Sequence, residues 1–564
     1  MQKKRINKFH QKKRSSRSRK RDGSRANSGF VPTTDNIKQH NPFLLNFDED
    51  LGNNNCNDIK IKRITTIDWN DEDLFGDDDA GYVDIEVLNS FSIVREDCKK
   101  FFREKSKFIV LNAPKGSGKT TMCRLLERKI NNETNNTALW LRDSDISPMP
   151  EAPVPLHNWQ SMWSNRISYA ILCQLVSESK GIISDSDLMD ICNLQKETGE
   201  RSKGLLNHLT DYFQLDFLRN KKLPDKHTIS FQDMLVRLDK KLKHKVWIFI
   251  DEVDQGFTNS EQMIFKNSSS ILACRNLVSK LNNIVIRSTI RPNVLAVIQS
   301  QVDSMANAAD SIVPLDWSAI QIRSVVAKRV ESYLIRTQSG YLDNFSSIDE
   351  KENWLLAQIL KVEDKNIGLG KGSRVPHMTL STLGKNRPRW VLNLLKNAAE
   401  IAEYNREDLI TSHELFGCLT QYGHDRIKNI AAEYISVCDK IQTIITKLSL
   451  SKQKVFYHEE LIKFINDKII SNSKIKITGI SNNASATDVA ELLYLIGVID
   501  AGYKPGEHSL NGIERHKKTH MDFYNQPVLM SALSDTDNNI NKFLWEIHPA
   551  FRYALGLERK KWKK

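Results

Sequence analysis

The sequence has no hydrophobic run that approaches the ~20 residues of a membrane-spanning helix. Its N-terminus also lacks the apolar centre of a secretory signal peptide. The eight cysteines, from Cys56 to Cys438, are scattered without the paired spacing of a metal site, which favours buried thiols in a reducing compartment. The fourteen histidines show no ligand spacing with cysteine or aspartate. We therefore expect a cytoplasmic protein with no membrane partner, and we find no pattern typical of a nuclease, protease or deaminase.

Net positive charge is almost absent from the body of the chain. Residues 1–25 hold twelve of the 82 Lys and Arg residues but only one of the 69 acids, Asp22, which leaves 70 basic and 68 acidic residues elsewhere. Five more basic residues lie in the last seven positions, from Glu558. The net charge of +13 therefore belongs mainly to the two ends, and the body is close to neutral.

The N-terminal region combines a basic segment with an acidic one. Residues 1–55 are rich in Lys, Arg, Ser and Asn, with few apolar residues, which predicts a disordered tail. Such a tail is either a solubilising segment or an electrostatic arm for DNA or RNA. In the linker that follows, residues 56–84, seven acids and no bases lie between Asp68 and Asp79. A metal site and a solvated acidic loop both fit this composition, and we expect the loop.

A phosphate-binding loop is the strongest feature of the sequence. The apolar run from Phe108 to Leu111 predicts a short buried strand, and a helical pattern with Leu125 and Leu126 follows. A glycine-rich turn, APKGSGKTT, lies between them, as in proteins that bind nucleoside triphosphates. The residues predicted to bind the nucleotide are Ala113, Pro114, Lys115, Gly116, Ser117, Gly118, Lys119, Thr120 and Thr121.

The residue types in this turn suit the chemistry of a phosphate site. Gly116 and Gly118 let the backbone curl so that its N–H groups point at phosphate oxygens, and the helix N-terminus adds partial positive charge. Lys119 is expected to reach the β- and γ-phosphates, and the Thr120 hydroxyl to bind Mg²⁺. The strict pattern begins with Gly, whereas this chain has Ala113. We expect the later glycines to be sufficient for the close approach of the phosphates.

A second group of candidates follows an apolar run about 130 residues further along the chain. The sequence VWIFIDEVD, from Val246 to Asp254, predicts a buried central parallel strand whose C-terminal end faces the ligand. Asp251 would hold Mg²⁺ through water, and Glu252 would polarise the attacking water. Together with the phosphate loop, this strand predicts ATP and Mg²⁺ as cofactors.

Four more residues are candidates for contact with the γ-phosphate. Thr289 and Arg291 lie at the end of the predicted strand NIVIRST and just beyond it. Arg387 and Arg389 flank Pro388, which is placed to begin a lid helix. One of these arginines would contact the nucleotide and couple the lid to hydrolysis. Ordinary polar strand ends and surface arginines near a helix cap are the alternative explanations at these positions.

The last part of the chain predicts a winged-helix-like arrangement. Helices are expected at Ile441 to Leu450, His458 to Ile465 and Ala486 to Ile496, and strands at Val498 to Tyr503 and Phe543 to His548. The long polar loop between these strands carries three basic residues of the predicted wing, Arg515, Lys517 and Lys518. A winged helix can place a helix in a DNA groove and its wing on phosphate, or it can contact only protein. Both alternatives remain open.

The predicted fold class is therefore α/β. A parallel sheet of the P-loop type, flanked by helices, is followed by a helical lid and a winged-helix-like domain. The predicted boundaries are a basic tail (1–55), an acidic linker (56–84), the ATPase core (85–316), the lid (317–435), the winged-helix-like domain (436–555) and a basic C-terminal tail (556–564).

The combination of motifs resembles the AAA+/STAND-type P-loop ATPases. The stretches that carry the resemblance are APKGSGKT, IFIDEVD, STIR at a strand end, LDW before the lid, GKNRPR and the winged-helix-like end. It is closest to bacterial ATPases with a KGSGKT loop, and origin-recognition initiators share the layout. The resemblance implies ATP and Mg²⁺ binding, slow hydrolysis, conformational switching and a homo-oligomer, although no arginine finger is obvious. It also implies a role in defence against phage or in DNA processing.

Two classes of function remain open from the sequence. In the first, the chain is an ATPase that engages DNA or RNA through its tail and wing and remodels or loads something there. In the second, it is an ATP-dependent signalling switch that controls an effector protein, with the winged helix as a regulatory lid. The charge of the tail and wing favours the first class, and the near-neutral body favours the second. A simple helicase is disfavoured because its additional motifs are not found.

Overall fold

The computed structural model describes most of the chain beyond the N-terminal tail. The described segments are residues 67–76, 98–133, 136–141, 152–178, 230–258, 260–337, 345–361, 375–471, 473–478, 483–503 and 543–558, with a few isolated positions between them. The three basic residues of the predicted wing lie outside these segments. Within them, no helix is long and apolar enough to cross a membrane.

Five parallel strands form a central sheet. They are β1 (Phe108–Asn112), β2 (Thr137–Leu141), β3 (Val246–Ile250), β4 (Ile284–Ile290) and β5 (Ile312–Pro314). Their order is β2-β3-β4-β1-β5, and every neighbouring pair is parallel. Every residue of β3 and β4 is buried, as expected for strands covered on both faces. The strands expected at Phe108, at Val246 and at the stretch NIVIRST are confirmed, with ends that differ by at most one residue.

The strand order determines which loops meet at the sheet edge. The phosphate loop follows β1, Asp251 and Glu252 follow β3, and β4 lies between these two strands. Because the strands are parallel, their C-terminal ends share one edge. Thr289 in β4 therefore lies between the two motifs that the sequence analysis identified.

Helices pack on both faces of the sheet. Up to β5 they are α1 (Glu72–Phe75), α2 (Lys99–Phe102), α3 (Lys119–Glu133), α4 (Leu156–Glu178), α5 (Phe231–Asp239), α6 (Glu261–Ser279) and α7 (Pro292–Gln301). One hydrophobic core joins α4, α5, α6 and α7 to the sheet. A second core joins α2 and α3 to the helices that follow β5. The burial of apolar surface on both faces stabilises the sheet.

In the region predicted as the lid, the described segments contain six helices. They are α8 (Ala319–Arg336), α9 (Ile348–Ala357), α10 (Pro376–Leu383), α11 (Pro388–Asn405), α12 (Ser412–Gly417) and α13 (Leu419–Tyr434). Pro388 is at the first position of α11, where its missing N–H costs no hydrogen bond. Buried Val391, Leu394 and Leu395 form the apolar face of α11. The helix expected at this position is confirmed.

The acidic linker differs from the expected solvated loop. Its described part, residues 67–76, contains α1, whose Leu74 and Phe75 are buried. Asp71 caps this helix and forms a salt bridge with Arg336 of α8 at 2.8 Å. The expectation of a solvated loop is therefore wrong for these residues, because two apolar side chains within the acidic run hold the segment against the protein. No group of three metal-ligating side chains is found here or elsewhere in the described segments.

A small antiparallel sheet lies in the last part of the chain that the structure describes. Its strands are β6 (Val455–Tyr457), β7 (Ile499–Tyr503) and β8 (Phe543–Ile547), in the order β6-β8-β7. The helices around it are α14 (Ile441–Lys447), α15 (His458–Phe464), α16 (Ala486–Leu495) and α17 (Pro549–Arg552). The three expected helices and two expected strands are present, while β6 and α17 were not anticipated. The winged-helix assignment itself stays a prediction.

Candidate nucleotide-binding site

The phosphate loop leaves β1 and enters α3 through two residues with positive φ. Gly116 has φ 83° and Gly118 has φ 85°, values that side chains with a Cβ rarely adopt. A Cβ built on Gly116 would also lie 3.2 Å from Cβ of Arg389, so the lid approaches the loop closely here. Ala113, at the position where the strict pattern has Gly, is completely buried and donates its N–H to the Ile290 carbonyl at 3.1 Å.

Lys119 is the first residue of α3, and its side chain turns back over the loop. Its ammonium donates to the carbonyl oxygens of Ala113, at 2.8 Å, and Pro114, at 3.3 Å. Burial lowers the pKa of Lys119, while nearby carboxylates, Asp254 and Asp251 foremost, oppose this shift. These carboxylates favour the charged form that a phosphate ligand requires.

Asp251 joins the two sequence motifs directly. The Thr120 hydroxyl donates to Oδ2 of Asp251 at 2.6 Å, and the Thr289 hydroxyl donates to Oδ1. The three side chains come from α3, from the end of β3 and from β4. Hydroxyl and carboxylate oxygens are suitable Mg²⁺ ligands, directly or through water. Thr120 and Asp251 are therefore the described residues that could hold a Mg²⁺ ion.

Glu252 has an unusual backbone conformation next to this cluster. Its φ is 60°, in the left-handed region that is uncommon for residues other than glycine. Its N–H donates to Oδ1 of Asp251 at 3.0 Å and approaches Oγ1 of Thr289 at 3.4 Å. These hydrogen bonds hold the strained backbone, and the side chain is exposed at the sheet edge.

Arg291, the first residue after β4, has a different partner from Thr289, which lies within that strand. Its Nε donates to Oδ2 of Asp254 at 2.9 Å, and its backbone N–H donates to the same oxygen at 2.7 Å. This pair ties the end of β4 to the loop after β3. Thr289 thus donates directly to Asp251, whereas Arg291 pairs with Asp254.

The two lid arginines have different surroundings. Arg387 is buried, and its Nη1 donates to Oε2 of Glu433 at 3.0 Å. Its guanidinium carbon also lies 4.6 Å from the centre of the Trp390 ring. Arg389 donates its backbone N–H to the Gly116 carbonyl at 3.2 Å, and its side chain is partly exposed above the loop. Among the described residues, no carboxylate pairs with the Arg389 guanidinium.

The outer side of the phosphate loop is bound by residues that follow β5. The carbonyls of residues 115–117 accept hydrogen bonds from Arg387 Nη1 at 3.5 Å, Arg389 N at 3.2 Å and Trp317 Nε1 at 2.9 Å. Trp317 belongs to the stretch LDW, for which no role in the site was predicted. Glu433 was not predicted either, because no local pattern connects that residue to a loop more than 300 positions earlier.

No protein-family model and no curated protein matches the chain. Among solved structures, it is similar to the Aeropyrum pernix ORC2 protein (11% identity, TM-score 0.35), covering 86% of this chain and 97% of that one. It is also similar to the Aeropyrum pernix ORC1 protein in complex with DNA, with 12% identity and a TM-score of 0.29 over 80% of this chain and 89% of that one. A third similar structure is the Thermotoga maritima RuvB Holliday junction branch migration motor, with 13% identity and a TM-score of 0.27 over 61% of this chain and 77% of that one. Because these identities and TM-scores are low, the assignment of the fold depends on the sheet and the loop described above and not on these similarities.

Proposed function

We propose that this chain is a Mg²⁺-dependent ATPase of the AAA+/STAND type. The observation that carries the proposal is the cluster of Thr120, Asp251 and Thr289 beside the phosphate loop. Phosphoryl transfer requires a cation at the phosphates, oxygen ligands for Mg²⁺ and a nearby carboxylate. At this edge of the parallel sheet, Lys119 would be the cation, Thr120 and Asp251 the oxygen ligands, and Glu252 the carboxylate. In the sequence, the Thr120 and Asp251 positions lie more than 100 residues apart.

The cluster and the residues around it have distinct parts in the proposed reaction. Lys119 and the backbone N–H groups of the loop hold the β- and γ-phosphates, and bound Mg²⁺ supplies charge neutralisation there. Glu252 orients the attacking water, since it follows the Mg²⁺ ligand Asp251 and its side chain is exposed at the sheet edge. Thr289 fixes Asp251 through its hydroxyl, and Arg291 steadies the strand end through Asp254.

Of the two lid arginines, Arg389 is the better candidate for contact with the γ-phosphate. Its backbone is hydrogen-bonded to Gly116 on the loop, and its guanidinium has no carboxylate partner in the described segments. The charge of Arg387 is instead neutralised by buried Glu433. We therefore assign the nucleotide contact to Arg389 and an anchoring role to Arg387.

For the partner, we propose DNA or RNA, bound by the basic tail and the predicted wing. The support is the concentration of twelve basic residues in positions 1–25 beside a nearly neutral body. The same neutral body supports a second candidate, an ATP-dependent switch that controls an effector protein. A homo-oligomer and a role in phage defence or DNA processing belong to the proposal through the resemblance of the motifs alone.

The decisive experiment measures ATP binding and phosphate release for the wild type, Lys119→Ala and Lys105→Ala. Lys105 is an exposed lysine before β1 and serves as the matched control for removal of one positive charge. Lys119→Ala removes a charge-assisted hydrogen bond to phosphate worth ~2–3 kcal/mol, so we expect ATP binding at least about 30-fold weaker, with Lys105→Ala unchanged. Equal ATP affinity in all three proteins would show that this loop is not the site.

A further inference from the structure

A buried carboxylate lies behind the phosphate loop and has no role in the proposed reaction. Glu433, near the end of α13, is 4% exposed. Its Oε1 accepts from the Lys115 N–H at 3.4 Å, and its Oε2 accepts from Arg387 Nη1 at 3.0 Å. Its backbone carbonyl accepts from Asn293 Nδ2 at 3.1 Å. One residue thus connects three separate parts of the chain.

These three partners belong to the elements that surround the proposed nucleotide. Lys115 lies in the phosphate loop, Asn293 is the second residue of α7 after the end of β4, and Arg387 precedes the first residue of α11. The loop would hold the phosphates, the end of β4 carries Thr289, and the start of α11 carries Arg389. Glu433 therefore contacts all three of these elements.

The charges explain why a carboxylate is suited to this position. Burial alone would raise the pKa of Glu433, but Arg387 beside it holds that pKa below its usual value. Glu433 is therefore ionised, and its pair with Arg387 is nearly excluded from solvent, with 1% and 9% of the side chains exposed. A desolvated ion pair has a defined geometry, and either partner alone would be a costly buried charge.

We propose that Glu433 is a positioning residue of the ATPase site, an inference that rests on the proposed function. Its carboxylate holds Arg387 and the Lys115 end of the loop, which keeps the N-terminal end of α11 against Gly116. Arg389, two residues after Arg387, is thereby placed over the loop. Glu433 acts through these residues and does not contact the nucleotide itself.

The first test compares Glu433→Gln with Glu352→Gln. Glu352 of α9 also forms a buried pair with an arginine, Arg323 of α8, at 2.8 Å, and neither residue is hydrogen-bonded to the loop in the described segments. Because Lys119 and the loop amides remain, we expect Glu433→Gln to lower kcat by about tenfold or more while KM for ATP changes less than about threefold. Glu352→Gln should keep both values. Equal kcat values in the two variants would overturn the proposal.

A double-mutant cycle separates positioning from general destabilisation. If Glu433 acts through Arg389, the variant with both Glu433→Gln and Arg389→Ala should be no slower than Arg389→Ala alone. Independent effects that multiply would instead show that Glu433 does not position Arg389. If Glu433→Gln fails to fold, Asn293→Ala takes its place, since it removes only the hydrogen bond to the Glu433 carbonyl. We expect a smaller fall in kcat, again at constant KM, and an unchanged kcat would contradict the proposal.

Hydrogen exchange tests the same inference without ATP hydrolysis. In Glu433→Gln, amides of residues 113–118 and 384–392 should exchange faster than in the wild type and in Glu352→Gln, because the loop and the start of α11 lose their shared anchor. Unchanged exchange would refute the positioning role even in an active enzyme. If Glu433→Gln exchanges faster but the wild type binds ATP without hydrolysing it, the proposed ATPase function is wrong. Glu433 would then only hold the lid against the loop.

Discussion

Arg387→Ala and Arg389→Ala should damage the protein in different ways, although a single proline separates the two arginines. Arg387 is the partner of buried Glu433, so its removal leaves an uncompensated carboxylate behind the loop. Breaking a buried pair in this way costs about 3–5 kcal/mol in the free energy of unfolding. This corresponds to a fall in Tm on the order of 10 °C.

For Arg389→Ala, the structure indicates a loss of activity without a loss of stability. The guanidinium is partly exposed and has no carboxylate partner in the described segments, so the free energy of unfolding should change by less than about 0.5 kcal/mol. Removal of one positioned donor to a developing charge costs about 10²–10³ in kcat. ATP binding should persist, because Lys119 and the loop amides are untouched.

The assay combines thermal unfolding, ATP binding and steady-state hydrolysis on the same preparations. Lys396→Ala is the control, because Lys396 is an exposed residue of the same helix, α11. A wild-type Tm for Arg387→Ala would show that the pair with Glu433 is not desolvated in solution. A wild-type kcat for Arg389→Ala would refute its contact with the γ-phosphate, and the reasoning from its surroundings would fail with it.

Three other variants test the remaining assignments. Glu252→Gln should retain ATP affinity and lose nearly all hydrolysis, because it removes the group proposed to orient water and keeps Asp251, the proposed Mg²⁺ ligand. Turnover at the wild-type rate would remove Glu252 from the proposed reaction. Deletion of residues 1–25 should reduce the slope of log affinity for duplex DNA against log salt by several units, because each phosphate that the tail neutralises contributes about 0.9 to that slope. The same deletion should leave ATP turnover unchanged. Neutralisation of the three basic residues of the predicted wing should weaken the DNA binding that remains. If the full chain binds neither DNA nor RNA at low salt, the effector switch becomes the leading function.

The strands and the phosphate loop could be predicted because their causes are local. Five consecutive apolar residues before Asp251 are sufficient to indicate a strand buried on both faces, and the structure has that strand at Val246–Ile250. The glycines of the loop are likewise required by its backbone, as the positive φ values of Gly116 and Gly118 show. Such features need no knowledge of the rest of the fold.

The prediction of a solvated loop in the acidic linker was wrong because it relied on the number of acids and neglected two apolar residues, Leu74 and Phe75. Seven acids between Asp68 and Asp79 suggest solvation, yet Leu74 is 0% and Phe75 4% exposed. Of the acids in the described part, Asp68, Glu72 and Asp73 are exposed, and Asp71 pairs with Arg336, 265 positions later. Burial of a short segment depends on the partner surface, and no periodicity within the segment reveals that surface.

The hydrogen bonds of the phosphate loop also constrain both classes of function. The carbonyls of residues 115–117 accept hydrogen bonds from Trp317, Arg387 and Arg389, which all follow the sheet. Because the loop amides are the groups that would hold the phosphates, the two sides of one short loop face the nucleotide and the lid. A shift of the loop on ATP binding must therefore alter its hydrogen bonds to the lid, whichever partner the protein serves. The salt titration of DNA binding addresses the identity of that partner directly.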